Sequence, residues 1–254
     1  MKITLLGTGS FISLPGHQFG QGYLLEVGNK KILVDAGPGI QFQLLKIGVK
    51  VSDLDYIFIT HFHADHTTEL FAMLFGQRMK TVFFGEKTKK ISIYGPPGIK
   101  KFIRDLGKAY MLEGLNNYKF FKYFKVKKEI KLGGFKVNAF KVKHFQDPAY
   151  CYRFTYKRKS VCFSGDTIKC RGLIECVKDA DLVVMDASFP ATIKDNPAHL
   201  NTEEIGEIAQ REKVKKLVLT HITPESKGIN LIKEVRSLYK GKVISGKDLM
   251  KIKV

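Results

Sequence analysis

An apolar run that ends in an acid or a histidine recurs along this chain, and it constrains the fold more than any other feature. Asp35, His61, His144, Asp166, Asp186 and His221 each follow directly on such a run. The densest example is Tyr56-Ile57-Phe58-Ile59, followed by Thr60-His61-Phe62-His63-Ala64-Asp65-His66. A short apolar run reads as a buried strand, and the loop leaving it can turn several side chains toward one point. Imidazole and carboxylate together suit a borderline divalent ion. A polar surface loop with titrating histidines is the alternative for this segment alone.

The other histidines weigh against that alternative. The chain has 7 histidines, and His61, His63, His66, His144 and His221 all lie at such strand exits. Strand ends on one edge of a layered α/β fold are where binding sites gather. With Asp65 and Asp166 they suffice for two metal ions sharing one carboxylate, with positions open for a bridging hydroxide.

The remaining segments read as strands alternating with helices. Lys2 to Leu6 is a strand into the turn Gly7-Thr8-Gly9-Ser10. Tyr23 to Val27 and Lys31 to Val34 form a hairpin about Gly28-Asn29, and Ile40 to Ile47 is a short helix closed by Gly48. Thr67 to Gln77 is expected to be helical, Ile91 to Tyr94 a strand, and Pro96-Pro97-Gly98 to open a helix that Gly107 stops. Phe120 to Val126 and Phe135 to Val142 read as strands with a turn at Gly133-Gly134. Tyr150 to Thr155 and Ser160 to Phe163 read as a hairpin, Leu173 to Val177 as a helix, and Leu182 to Met185 and Leu217 to Leu219 as strands. Asn201 and Glu204 form a capping-box pattern for a helix from Thr202 to Arg211. A helix from Ile229 to Tyr239 and a strand near Val243 close the chain, while residues 110–118 show no legible period. One α/β domain over residues 1–254 is expected, with two sheets and helices outside them.

Composition narrows the class. Hydrophobic residues at 44% are ample for a core, and no window approaches a membrane span. The N-terminus lacks a signal-peptide layout, so a cytoplasmic protein is expected. Cys151, Cys162, Cys170 and Cys176 fit neither a zinc-finger spacing nor a disulfide scaffold, and a Cys170–Cys176 bridge would need an unusual redox setting. A net charge of +19 favours polyanionic partners, or else reflects a lysine-rich solvated surface.

At the level of motifs, the chain resembles the metallo-β-lactamase-fold hydrolases. The HxHxDH signature is His61, His63, Asp65, His66, and His144, Asp166 and His221 follow in order and spacing. Within that superfamily it is most similar to ribonuclease Z and its phosphodiesterase relatives, through Leu6-Gly7-Thr8-Gly9-Ser10, Asp35-Ala36-Gly37, Tyr94-Gly95-Pro96-Pro97-Gly98, Phe163-Ser164-Gly165-Asp166-Thr167 and Leu219-Thr220-His221-Ile222. Glyoxalase-type, lactonase-type and diiron flavoprotein members fit less well. They carry Thr-Pro-Gly-His at the third histidine, or Glu at the place of His63.

The resemblance implies an αββα sandwich of two mixed sheets. It implies one divalent ion on His61, His63 and His144 and a second on Asp65, His66 and His221, with Asp166 bridging. Zinc is the expected metal, and manganese and iron suit the same donors. Asp65 would orient a bridging hydroxide that attacks a phosphodiester. Asp35 would hold a ligand histidine or serve as a strand-end turn carboxylate. His199 would act as general acid or phosphate contact, with Asp186 standing where the family has Glu, or would simply cap the next helix. His17 is assigned to the surface. A homodimer is also admitted, since relatives often form one.

One departure matters. Ribonuclease Z inserts a long Gly- and Pro-rich arm between the third histidine and the Gly-Asp-Thr motif, and here only Phe145 to Ser164 intervene. A tRNA substrate would need another basic surface. The candidate is Lys119 to Lys128, whose alternation also fits a half-buried strand. The expected activity therefore moves toward smaller or unstructured phosphodiesters, RNA included. An ester or sulfate-ester hydrolase, or a nucleic-acid-binding protein with structural metals, are the alternatives.

Overall fold

Strand β1 (Lys2–Gly7) is followed by a hairpin of β2 (Gly22–Val27) and β3 (Lys30–Val34), helix α1 (Ile40–Lys46), β4 (Tyr56–Phe58), the long helix α2 (Ala64–Phe84), β5 (Ile91–Gly95), α3 (Ile99–Ala109) and β6 (Phe121–Lys125). The second half runs β7 (Glu129–Leu132), β8 (Phe135–His144), β9 (Asp147–Tyr156), β10 (Lys159–Phe163), α4 (Arg171–Val177), β11 (Leu182–Asp186), α5 (Thr202–Arg211), β12 (Lys216–Thr220), α6 (Leu231–Leu238), β13 (Lys242–Ser245) and β14 (Lys251–Lys253). This computed structural model describes residues 1–15, 17, 19–87, 89–145 and 147–254.

The strands form two seven-stranded mixed sheets, ordered β14-β1-β2-β3-β4-β5-β6 and β13-β12-β11-β10-β9-β8-β7. Their inner faces share an aromatic-rich core in which Phe58 stacks on Tyr94 at 4.8 Å and meets Phe154 edge-on at 5.2 Å. Each such buried ring contributes about 1.5–3 kcal/mol relative to exposure. The outer face of the first sheet packs against α1, α2 and α3 through Ile40, Leu44, Leu70, Leu74 and Ile103. The outer face of the second packs against α4, α5 and α6 through Leu173, Val177, Ile205, Ile208 and Val235. The architecture is the αββα sandwich. No helix among the described residues is long and apolar enough to cross a membrane.

The topology gathers the strand exits. β3 to β6 are parallel neighbours, as are β10 to β13, and β8 reaches the same edge through two antiparallel steps across β9. The C-terminal ends of β3, β4, β8, β10, β11 and β12 therefore open on one rim of the sandwich.

Several boundaries differ from the sequence expectation. Helix α2 begins at Ala64, so Asp65 and His66 lie in its first turn rather than on a loop. Asp65 there complements the helix dipole. The helix also outruns Gln77, because its last turns carry exposed Val82, Phe83 and Phe84 and show no apolar stripe to read. Gly107 does not stop α3. It is a buried helical residue, where an added Cβ would lie 3.0 Å from the Leu112 carbonyl. Strands β7 and β14 were not expected. They are short edge strands defined by their partners β8 and β1. All four cysteines are free, so the Cys170–Cys176 bridge is absent. Between His144 and Asp166 the described chain forms only the β9–β10 hairpin, with no arm.

Candidate metal centre and active site

Residues from both sheets meet at the rim. His61, His63, His144 and Asp166 form one group whose donor atoms all lie within 4.8 Å of one another, and Asp65, His66, Asp166 and His221 form a second. Asp166 belongs to both. Its Oδ2 lies 3.8 Å from His61 Nε2, 3.8 Å from His144 Nε2 and 3.2 Å from His221 Nε2, while Oδ1 lies 3.2 Å from His66 Nε2. His144 Nε2 is 3.0 Å from His63 Nδ1, and His221 Nε2 is 3.2 Å from Asp65 Oδ2.

The outward nitrogens explain this orientation. Asp35, an acceptor when ionised, receives the Thr60 N–H at 2.8 Å, the Thr60 hydroxyl at 2.9 Å and His66 Nδ1–H at 2.8 Å. With its proton given to Asp35, Thr60 Oγ1 can accept from His61 Nδ1 at 3.1 Å. Asp186 receives the Ser188 hydroxyl at 2.5 Å, and Ser188 in turn accepts from His221 Nδ1 at 2.8 Å. His144 Nδ1 donates to the Ala198 carbonyl at 2.9 Å. Four imidazoles thus carry a proton on Nδ1, directed away from the cluster, and turn Nε2 inward. Such outer partners fix tautomer and ring orientation in metal-binding histidines.

Local backbone conformation supports the arrangement. Asp35 and His221, both at strand exits, have φ of 59°. This left-handed region is uncommon for residues other than glycine and is held only when the surroundings over-determine it. Here Asp35 N–H donates to the Phe58 carbonyl at 2.8 Å and His221 N–H to the Thr8 carbonyl at 2.9 Å.

The site is buried and strongly charged. Burial lowers the His61 pKa well below the usual imidazole value, and the neighbouring His66 charge lowers it further. Burial also lowers that of His144. For His66, burial acts downward, but Asp166, Asp65 and Asp35 outweigh it and hold the pKa well above normal. His221 is likewise pushed up to about 10 against its burial, chiefly by Asp166. Burial acts upward on Asp166, yet His221 and His66 hold it well below the carboxylate range. The carboxylates therefore demand cations beside them.

The donor set fits divalent metal. His61 Nε2 and His66 Nε2 are buried without a hydrogen bond among the described residues. A buried imidazole nitrogen left in that state is costly unless something else satisfies it, and here both face carboxylate and imidazole donors.

A cavity of about 440 Å³ opens over the cluster, lined by His63, Asp65, His144, Asp166, Phe189 and His199 among others. His199 Nδ1 lies 2.9 Å from Asp186 Oδ2. Burial acts downward on His199, but Asp186 outweighs it and raises the pKa. The cap of α5 is Asn201, whose side chain accepts from the Glu204 N–H and whose own N–H donates to the Glu204 carboxylate, so His199 is not the capping residue.

His17 departs from its surface assignment. It is half-buried, with Nδ1 2.8 Å from the Thr8 hydroxyl, which itself donates to Asp248 at 2.8 Å. Thr60, Ser188 and the Ala198 carbonyl were missed by sequence reasoning. Ser188 carries the one available signal: it lies two residues beyond a strand-end Asp, whose Oδ1 accepts its N–H at 3.1 Å as in an Asx-turn.

This sandwich has the metallo-β-lactamase fold, and its paired histidine–carboxylate groups together with ribonuclease Z and metallo-hydrolase relatives make it a metal-dependent hydrolase. The chain belongs to the family described as the anti-Pycsar protein Apyc1, whose model matches residues 1–240. It is 28% identical to a ribonuclease Z of Archaeoglobus fulgidus over 308 aligned positions, covering 100% of this chain and 97% of that protein. It is also 28% identical to the probable metallo-hydrolase YhfI of Bacillus subtilis over 247 positions, covering 96% of each. The YhfI crystal structure superposes with a TM-score of 0.85 at 24% identity, covering 99% of this chain and 98% of that one. The short form of human tRNase Z superposes at 0.78 with 23% identity, covering 100% and 99%. The ribonuclease alignment is longer than this 254-residue chain, so that enzyme carries segments absent here.

Proposed function

We propose that this chain is a phosphodiesterase that uses two divalent metal ions, zinc foremost, on small or unstructured phosphodiesters. The carrying observation is the set of imidazoles whose Nδ1 protons are committed outward while their Nε2 atoms converge around Asp166. His61, His63, His144 and Asp166 would hold one ion, and Asp65, His66, His221 and Asp166 the other. Bound ions supply a water of lowered pKa and neutralise charge that develops on phosphoryl oxygens.

The protein's own groups do the rest. Asp65, at the cavity floor, orients the attacking water. His199 lines the same cavity, and in its imidazolium form, which Asp186 favours by accepting from Nδ1–H, the second proton on Nε2 is left to pass to the leaving oxygen. The Asp186 side chain reaches His199 directly, so the shorter acid suffices here. The similarity to proteins named ribonuclease Z supports phosphodiester chemistry. The β9–β10 hairpin in place of an arm supports a smaller substrate than folded tRNA. RNA ends and cyclic phosphodiesters fit this description.

The Lys119–Lys128 segment supports no RNA groove as it stands. Phe121–Lys125 is an edge strand in which Lys122, Phe124 and Lys125 are exposed and Phe124 stacks on Tyr94 at 4.9 Å. Exposed Val82, Phe83 and Phe84 at the end of α2 offer apolar surface for a second copy of the chain, which sedimentation would test. Cytoplasmic residence goes with this reading.

The test is turnover of bis(p-nitrophenyl) phosphate by zinc- or manganese-loaded protein. Wild type is expected to turn over and Asp166→Ala to be inactive. Equal inertness of both, or turnover of lactones or sulfate esters alone, overturns the proposal.

A further inference from the structure

A second cavity, of about 550 Å³, shares no lining residue with the one over the metal groups. That volume lies within the range of small-molecule sites, about 300–1,000 Å³. Its walls come from the loop after β1, the segment after β12 and the start of α6. Leu14, Pro15, Ile222, Ile229, Leu231 and Ile232 make them largely apolar. Among the described residues no carboxylate lines it, and Lys227 does.

The polar atoms here are committed in one direction. Asp248 Oδ1 receives the Thr8 N–H at 2.9 Å and the Thr8 hydroxyl at 2.8 Å. With its proton given to Asp248, Thr8 Oγ1 accepts from His17 Nδ1 at 2.8 Å. Burial lowers the His17 pKa, with Asp248 acting against it. The neutral ring therefore has an unprotonated Nε2, which makes no hydrogen bond among the described residues and can only accept. The Thr223 and Ser226 hydroxyls both donate to the Ser188 carbonyl, at 2.5 Å and 3.4 Å, so they too have only lone pairs left.

We propose that this cavity binds a small neutral molecule with an apolar body and one hydroxyl, a phenol or an apolar alcohol, whose O–H donates to His17 Nε2. An ammonium ligand is disfavoured, because Lys227 repels it and no carboxylate offsets its burial. A hydrocarbon or an ether covers the imidazole nitrogen without giving it a donor, which costs the hydrogen bond to water that it displaces.

The residues of this site also hold His221. Thr8, whose hydroxyl engages His17, gives its carbonyl to the His221 N–H at 2.9 Å. Ser188, whose carbonyl Thr223 and Ser226 hold, accepts from His221 Nδ1 at 2.8 Å. A ligand that fixes Thr8, Thr223 and Ser226 therefore favours the metal-ready orientation of His221, and a metal ion on His221 tightens the ligand by the same factor. That coupling rests on the metal reading above, and the site itself does not.

The experiment compares 4-ethylphenol with its methyl ether, 4-ethylanisole, which keeps the apolar body and lacks the donor. Binding is measured by calorimetry on the full chain, zinc-loaded and after chelation, in wild type and in His17→Phe. Wild type is expected to bind the phenol about fivefold or more tightly than the ether. His17→Phe, which keeps an aromatic ring without the acceptor, is expected to bring that ratio close to one. In wild type the phenol should also shift the nitrogen resonance of His17 Nε2 and the ether should not, a readout that needs no variant. Equal affinities, binding of neither compound, an unmoved His17 resonance, or a ratio that survives His17→Phe overturns the site. Zinc is expected to tighten the phenol by about fivefold, within the usual span of coupling between sites. An affinity that zinc leaves unchanged overturns the coupling. Failure of zinc to bind at all rejects the metal reading and the coupling with it, while the preference for the hydroxyl in chelated protein decides the site by itself.

Discussion

Asp186 accepts hydrogen bonds from His199 Nδ1 at 2.9 Å and from Ser188, whose hydroxyl lies 2.8 Å from His221 Nδ1. One carboxylate at the end of β11 therefore orients both the proposed leaving-group acid and a proposed metal ligand.

This coupling gives His199 a leaving-group signature. His199→Ala is expected to lower kcat by about 100-fold for a diester with an alkoxide leaving group. The loss should be under about tenfold for a p-nitrophenyl diester, which departs without a proton. The Asp186-raised pKa means the acid form persists above the usual imidazole range and is lost as pH rises through that raised value. Asp186→Asn should move this basic limb of the kcat profile to lower pH. Equal losses for both leaving groups would reject the assignment.

Asp35 should act on metal affinity. Asp35→Asn keeps a residue that tolerates φ of 59° but weakens the grip on His66 and Thr60. A fall of about 10–100-fold in affinity is expected, measured by competition with a chromophoric chelator. An unchanged affinity would make Asp35 a turn carboxylate only.

Metal uptake should release protons. In the metal-free chain His66 and His221 have raised pKa values, so at neutral pH both hold protons that a ligand nitrogen must lose. Affinity should thus fall as pH is lowered. Calorimetry in buffers of different ionisation enthalpy should show net proton release. Saturation at about 1,000 times Kd should stabilise the fold by about 4 kcal/mol, visible as a raised Tm.

Gly37 should be intolerant of a side chain. A Cβ there would lie 1.9 Å from the Asp65 carbonyl and 2.8 Å from the Gln21 nitrogen. Gly37→Ala must push the first turn of α2, which carries Asp65 and His66. We expect about 1–3 kcal/mol of destabilisation in urea, with weaker metal binding. A variant as stable as wild type would show that this backbone contact is slack.

Much of the frame could be read from residues alone. β8 buries Phe135, Val137 and Ala139 between the sheets and then Val142 on its other face, beneath the helices, with Lys136, Lys141 and Lys143 exposed, and the capping box of α5 lies where Asn201 and Glu204 put it. The edge strand β14 and the exposed end of α2 were not legible. Neither has a pattern of its own: one exists through pairing with β1, the other through continuation of a helix that starts after His63.

The sequence by itself determined which residues could serve as ligands, because imidazole and carboxylate at strand exits are a local pattern written in hydropathy and spacing. Only the tertiary structure decided how they are used. Asp35 meets His66, and Asp186 meets both His199 and His221, across separations that no local period encodes. Those meetings depend on parallel strand ends from two sheets opening on one rim, and on hydrogen bonds whose directions are forced once a buried carboxylate can only accept.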